Sequence, residues 1–214
     1  MKLDRLQKNS NNYFLISNTE ISKMITDFKF MSHYKDVFKN YIPLIEQEVI
    51  DQRLILDHIH TFDNALSRKN LVAHVTSSVM ILNQDKTKVL LGFHHIYQSW
   101  GWFGGHNDDD PDCLHVALKE ATEETGLSSF IKVMEEPIAI DVIYVGNHIK
   151  KGNYVPDHLH LNVTYGLIAD DTLPLRHNED EHKGLKWFDL DDFLNHVTEP
   201  RMEPVYNKII SRMI

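Results

Sequence analysis

Cysteine is almost absent from this sequence: its 214 residues include one, Cys113. A single thiol cannot close an internal disulfide or build a multi-cysteine zinc site. It fits a reducing compartment, so a cytoplasmic protein is expected. Long apolar runs are also missing. No stretch reaches the roughly 18 residues needed to span a bilayer, and no membrane association is expected. The opening MKLDRLQKNSNNYF is polar and lacks the apolar core and small-residue cleavage site of a secretory leader. Basic charge is scarce: 22 Lys and Arg stand against 31 Asp and Glu, for a formal net charge of −9. Bulk nucleic acid and anionic lipid both favour basic surfaces and are disfavoured as partners. A phosphate-bearing substrate would need a metal ion or a local basic pocket to hold it. There is no internal repeat and no low-complexity tract.

What is present suits a globular protein. Apolar residues make up 42% of the chain, enough for a sizeable core. The length fits one domain, or one domain with an appendage. Residues 1–20 are polar and read as a lead-in. Residues 21–66 read as helical. The clearest helix starts at Pro43, a favoured first helical residue. Leu44, Ile45, Val49, Leu54, Leu56, Ile59 and Phe62 then recur at roughly helical spacing, with Ile50 and Ile55 beside them. On that pattern Glu46, Glu48, Asp51, Gln52 and Arg53 face elsewhere. Residues 1–66 are therefore expected to form a helical extension packed on a main domain at 67–214. The sharper alternative is an arm that pairs two copies into a homodimer.

From residue 71 the texture changes to strands. Leu71–Leu82 and Lys88–Phe93 flank a polar turn. Ile138–Val145, His158–Ala169 and the short Leu185–Phe188 follow, with a polar loop at Asp170–Gly184. Residues 191–196 suggest a short helix, and Arg201–Arg212 a longer terminal one. Strands and helices are mixed, which indicates an α/β (α+β) fold with helices packed on a mixed sheet.

The chemistry-bearing segment is Gly104-Gly105-His106-Asn107-Asp108-Asp109-Asp110-Pro111, followed by Asp112 to Leu127. Asp110 and Pro111 are a helix-start signal, and Gly126 suits the left-handed position past a helix end. A helix over Pro111–Thr125 is expected. It places Leu114, Ala117, Leu118 and Ala121 on one face, and Glu120, Glu123 and Glu124 together on another. Like charges at that spacing repel. A divalent, oxygen-loving cation would turn the repulsion into ligation. On the glutamates alone, an ordinary solvated face is the alternative.

Gly105 to Leu127 resembles the Nudix box, G-x5-E-x7-R-E-U-x-E-E-x-G-U, with U a bulky apolar residue. Gly105, Glu120, Glu123, Glu124, Gly126 and Leu127 match, and Ala121 is a small residue at the first U. Two positions depart: the early Glu falls on Pro111, flanked by Asp108, Asp110 and Asp112, one of which could take its role, and the Arg falls on Lys119. The opening Gly-Gly-His-x-Asp is similar to that of a subgroup of the superfamily. The resemblance implies a Nudix-like α/β/α sandwich with a mixed central sheet. It also implies hydrolysis of a nucleoside diphosphate linked to another group, X, with Mg²⁺ as cofactor and Mn²⁺ as the alternative.

By position in the box, Glu120 and Glu124 are the first metal ligands, with Glu123 close behind and the Gly104 carbonyl a further one. Any of the carboxylates, or Glu181 from the later loop, could act catalytically. His106, Lys119, Tyr144 and Arg68 are the candidate substrate contacts, and a small-molecule nucleotide is the expected partner. His158 and His160 share one strand face, a potential zinc pair for which the sequence shows no third ligand. Cys113, near the helix start, is read as packing. A Nudix-fold binding or sensing module without catalysis is the competing function.

Overall fold

The computed structural model describes residues 34–150 and 152–214. Residues 1–33, with the expected lead-in and the first part of the expected helical stretch, lie outside the described residues. The organising strand is β1 (Ala73–Asn83), which is buried along its whole length. It runs parallel to β9 (His158–Ala169), paired from Ala73 with Leu159 to Asn83 with Ala169. On its other side β1 pairs antiparallel with two strands in succession. Its first half meets β4 (Phe103–His106), and its end meets β2 (Lys88–His94). Outside these lie β10 (His182–Asp189) and β3 (Ser99–Gly101) on β2, and β5 (Lys132–Val133) and β6 (Ala139–Val145) on β9. β7 (His148–Lys150) and β8 (Asn153–Val155) form a separate hairpin.

Side chains alternate across β1, and each face has its own helical cover. Val75, Val79 and Ile81 join Leu161, Val163 and Tyr165 under α2 (Cys113–Thr125), which contributes Cys113, Ala117 and Ala121. The two alanines let the helix approach the sheet closely. Met80 and Leu82 face the other way, against α3 (Glu203–Met213) through Tyr206, Ile209, Ile210 and Met213. A helix–sheet–helix sandwich results. Full burial of each Val, Leu or Ile contributes about 1.5–3 kcal/mol. No helix of the described residues is long and apolar enough to cross a membrane.

The helical segment packs on the sheet, but the first half of its expected apolar face is turned outward. Residues 34–40 are helical, and α1 spans Glu46–Thr61. Ile55 and Ile59 enter the first core as anticipated. Leu44, Ile45, Val49, Ile50 and Leu54, however, face outward, while Glu48 is fully buried. The partners of the inward polar residues explain the reversal. Arg212 of α3 donates to both Glu48 oxygens at 2.6 and 3.1 Å, Tyr41 Oη donates at 2.7 Å, and the Leu44 amide donates at 3.0 Å. Lys208 Nζ stands 3.3 Å from Glu48 and 2.6 Å from Asp141. Asp51 accepts the amide of Val142 at 2.8 Å. α1 is docked as much by paired charge as by apolar area, and buried charges of this kind survive only when fully partnered.

Smaller differences concern element ends. β10 begins three residues before the expected Leu185, and the terminal helix begins at Glu203 after a 3-10 turn over Pro200–Met202. The segment near 191–196 is also 3-10 (Phe193–His196). β5 and the β7–β8 hairpin were not anticipated.

Candidate active site

The turn before α2 is built from its own polar side chains. Asp108 and Asp109 have positive φ, 46° and 72°, which Asp tolerates better than most residues. Asn107 is buried; its side chain accepts from Ser77 Oγ at 2.9 Å and donates to the Asp110 carbonyl at 2.9 Å. The helix cap is Asp112, which accepts the His115 amide at 3.0 Å, in place of the expected Asp110. Asp110 instead receives the Asp112 amide and contacts His115 Nδ1 at 2.8 Å, and Asp108 holds Arg68. The three aspartates proposed as stand-ins for the missing early Glu are thus occupied locally. At the far end Gly126 has φ 74°, the left-handed cap expected of it.

The helix brings two of its three glutamates to one place. Glu120 and Glu124 converge with Glu181, at the end of the loop before β10, so that one oxygen from each lies within 4.8 Å of the others. Gly105 makes room: a Cβ there would stand 2.6 Å from the Glu120 carboxyl carbon. Glu124 is buried, with Oε2 accepting the Gly104 amide at 3.0 Å and Oε1 3.2 Å from His182 Nε2. Burial, then the hydrogen-bonded Glu181 carboxyl and the nearby Glu120, push the Glu124 carboxyl well above the usual range. Burial raises Glu120 as well. Burial also pushes the His182 imidazole down to about 4, so it is neutral near pH 7. Crowded, partly desolvated carboxylates of this kind suit a hard divalent cation, and their all-oxygen donor set fits Mg²⁺ or Mn²⁺.

Glu123 is not in this group. It is exposed and accepts from Lys119 Nζ at 2.9 Å, and Lys119 also stands 3.6 Å from Glu120. The absent box arginine is thus replaced by a cation that partners two of the box glutamates.

A cleft of about 570 Å³ opens beside the carboxylates, lined by Glu120, Glu124 and Glu181. Of the expected substrate contacts, Arg68, His106 and Tyr144 line it and Lys119 does not. Tyr144 Oη donates to Asp157 at 2.8 Å, and its ring lies beneath the Arg201 guanidinium at 5.2 Å. Arg201 and Lys150 add positive charge to the wall, and Trp102 an aromatic face. Trp100 packs instead against Phe93 and Phe188. His106 enters a group with His74, His158 and His160, so the pair on β9 has the further neighbours that the sequence did not show. Burial is the main cause holding His74, His106 and His160 below the usual histidine range.

His182 and Arg201 were missed in the sequence. His182 follows Glu181 directly, but a lone histidine at the start of a strand carries no spacing signal.

Residues 72–212 match the NUDIX domain. The chain belongs to the Nudix family. That membership supports a nucleotide pyrophosphohydrolase, a hydrolase of phosphoanhydride bonds. No similar sequence was found among curated proteins. Several solved structures are similar. A Caenorhabditis elegans Ap4A hydrolase binary complex is 18% identical, with a TM-score of 0.48 over 65% of this chain and 96% of that one. A NUDIX-family hydrolase from Clostridium perfringens is 18% identical, with a TM-score of 0.42 over 66% and 98%. The NUDIX domain of Shewanella oneidensis NrtR, complexed with ADP ribose, is 17% identical, with a TM-score of 0.46 over 74% and 97%.

Proposed function

We propose that this protein is a Mg²⁺-dependent pyrophosphohydrolase that cleaves a nucleoside diphosphate linked to a group X, by attack of water at phosphorus. The observation that carries this reading is the convergence of Glu120 and Glu124, on the helix that bears the Nudix box, with Glu181 from the loop before β10, within 4.8 Å in the wall of the cleft.

Glu120 and Glu124 are the metal ligands in this reading, with the Gly104 carbonyl as a further one and Mn²⁺ as the alternative ion. When bound, the ion neutralises charge on the diphosphate and activates the attacking water. The protein's own groups do the rest. The Gly104 amide and His182 hold Glu124 in one orientation, and such outer partners fix ligand geometry. Glu181 comes from a separate loop and accepts the proton of the attacking water. Arg68, Arg201 and Lys150 supply the local basic wall that a net-acidic protein needs to hold phosphates. Trp102 and Tyr144 offer aromatic surface to a base or to X.

A nucleotide panel assayed with and without Mg²⁺, with Glu124→Gln as the control, tests this. Release of a mononucleotide or phosphate that needs Mg²⁺ and is lost in Glu124→Gln is expected. Turnover without metal, or an unaffected variant, would overturn the mechanism. Tight nucleotide binding with no turnover across the panel would make the protein a binding module instead.

A further inference from the structure

Four histidines on three strands converge in the cleft that the carboxylates also line. The pairing of the strands brings them together. His74 of β1 is in register with His160 of β9, Thr76 is paired with His106 of β4, and His158 stands two residues before His160 on the same face of β9. One ring nitrogen from each of the four lies within 4.8 Å of the others. Ring centroids are 4.8 Å apart for His74–His106, 4.9 Å for His74–His158, and 5.0 Å for His106–His160 and His158–His160.

Two of the four rings are oriented as ligands would be. His74 Nδ1 donates to the Asn70 carbonyl at 3.0 Å, and His158 Nδ1 donates to the Pro156 carbonyl at 2.8 Å. A carbonyl can only accept, so both rings carry a proton on Nδ1, and in the neutral imidazole Nε2 is then bare. That is the arrangement in which a backbone carbonyl orients a metal-binding histidine. His74 is 3% exposed, and its Nε2 has no hydrogen-bond partner. His158 Nε2 stands 3.2 Å from His160 Nε2, a hydrogen bond in which His160 Nε2–H donates, so an ion bound here through both Nε2 atoms would displace that proton. Tetrahedral zinc with Zn–N bonds of about 2.0–2.1 Å places its ligand nitrogens about 3.3 Å apart, so this pair is already at ligand spacing. Asn70, which anchors His74, is itself held by Asn64 and by the amides of Val72 and Ala73. Two cations are nearby: Arg68, which is paired with Asp108, and Lys150.

We propose that His74, His106, His158 and His160 form an all-imidazole site for a borderline divalent transition ion, Zn²⁺ before others. The site is chemically separate from the oxygen-donor cluster of Glu120, Glu124 and Glu181, and it does not depend on the hydrolase reading. Imidazole selects Zn²⁺, Cu²⁺ or Ni²⁺ over Mg²⁺. Four neutral ligands leave the ion its full double charge, so it would place positive charge in the cleft and pin β1, β4 and β9 to one another.

The test uses the full chain stripped of metal by a chelator, with Co²⁺ as the spectroscopic probe. One equivalent should bind with the intense ligand-field bands of tetrahedral nitrogen coordination. Stoichiometric Zn²⁺ should bleach them, and excess Mg²⁺ should not. Glu124→Gln should keep the signal. His106→Asn and His160→Asn, shown by circular dichroism to be folded, should weaken binding by more than the roughly 10–100-fold that loss of an outer-shell partner costs. The paired His158→Asn variant provides a further check should either of these fail to fold. A folded wild type that binds no equivalent, bands that Mg²⁺ displaces, or a signal lost in Glu124→Gln and kept in the histidine variants would each overturn the proposal.

Discussion

His182 Nε2 lies 3.2 Å from Glu124 Oε1, and both side chains are buried. The contact joins β10 to α2 and leaves one carboxylate oxygen fixed while the other receives the Gly104 amide. His182→Gln should therefore act through metal affinity. The Mg²⁺ concentration for half-maximal turnover should rise by roughly 10–100-fold, with the fold retained. An unchanged Mg²⁺ requirement would show that His182 does not position Glu124.

The two glycines of β4 should fail differently. Gly104 has φ +155°, and a Cβ there would meet the Ser77 carbonyl oxygen at 2.6 Å and Ser78 Cα at 2.7 Å. Because the obstacle is backbone, Gly104→Ala should cost stability, about 1–3 kcal/mol in chemical denaturation. At Gly105 the obstacle is the end of the Glu120 side chain, which can move. Gly105→Ala should leave stability nearly unchanged while turnover falls, since a displacement of about 1 Å at a catalytic group can cost about 100-fold.

Glu120 and Glu123 separate box membership from location. Glu123 is exposed and bound to Lys119, an ion pair worth at most about 1 kcal/mol at the surface. Glu123→Gln should change kcat/KM far less than Glu120→Gln. Equal losses in a steady-state assay would place Glu123 in the site.

Glu48 gives a stability prediction with a defined pH window. Burial alone would raise its carboxyl. Hydrogen bonds from Arg212, the Leu44 amide and Tyr41, with the charge of Lys208, overcome this and hold it at about 2 instead of 4.5. A depressed folded-state pKa contributes stability above the unfolded value, lost as pH falls toward the folded one. Glu48→Gln should destabilise the protein by about 3 kcal/mol at neutral pH. The gap to wild type should close between pH 4.5 and about 2. A gap independent of pH in denaturant melts would mean that the charge of Glu48 is not what counts.

The sequence shows most of the site and little of its surroundings, for physical reasons. The helix Cys113–Thr125 was legible because its acidic, proline-marked start and its left-handed glycine are local features, although the cap is Asp112 and not Asp110. Strands such as β1 and β9 were legible from their β-branched residues. Glu181 could be placed because its loop precedes a recognisable strand. His182 could not, because its meaning comes from Glu124, 58 positions away in the chain. The orientation of α1 was read wrongly for the same kind of reason. Apolar spacing suggested one buried face, but Arg212 and Lys208, which turn Glu48 inward, lie far along the chain. On β9 the pair His158 and His160 was visible, whereas His74 and His106 join it only through strand register.

The docking of α1 has a further consequence at β6, the strand beside β9. Ile138 and Ile140 carbonyls receive Arg212 and Lys208, and the Val142 amide donates to Asp51. Three successive outward backbone groups along this edge are thus stoppered by side chains. An open edge is a template on which a second chain can add a strand. Removing residues 1–66 would therefore do more than shorten the protein: it would take away Asp51 and also Glu48, the carboxylate that holds Arg212 and Lys208 in place, and so loosen the β6 border toward edge-to-edge self-association.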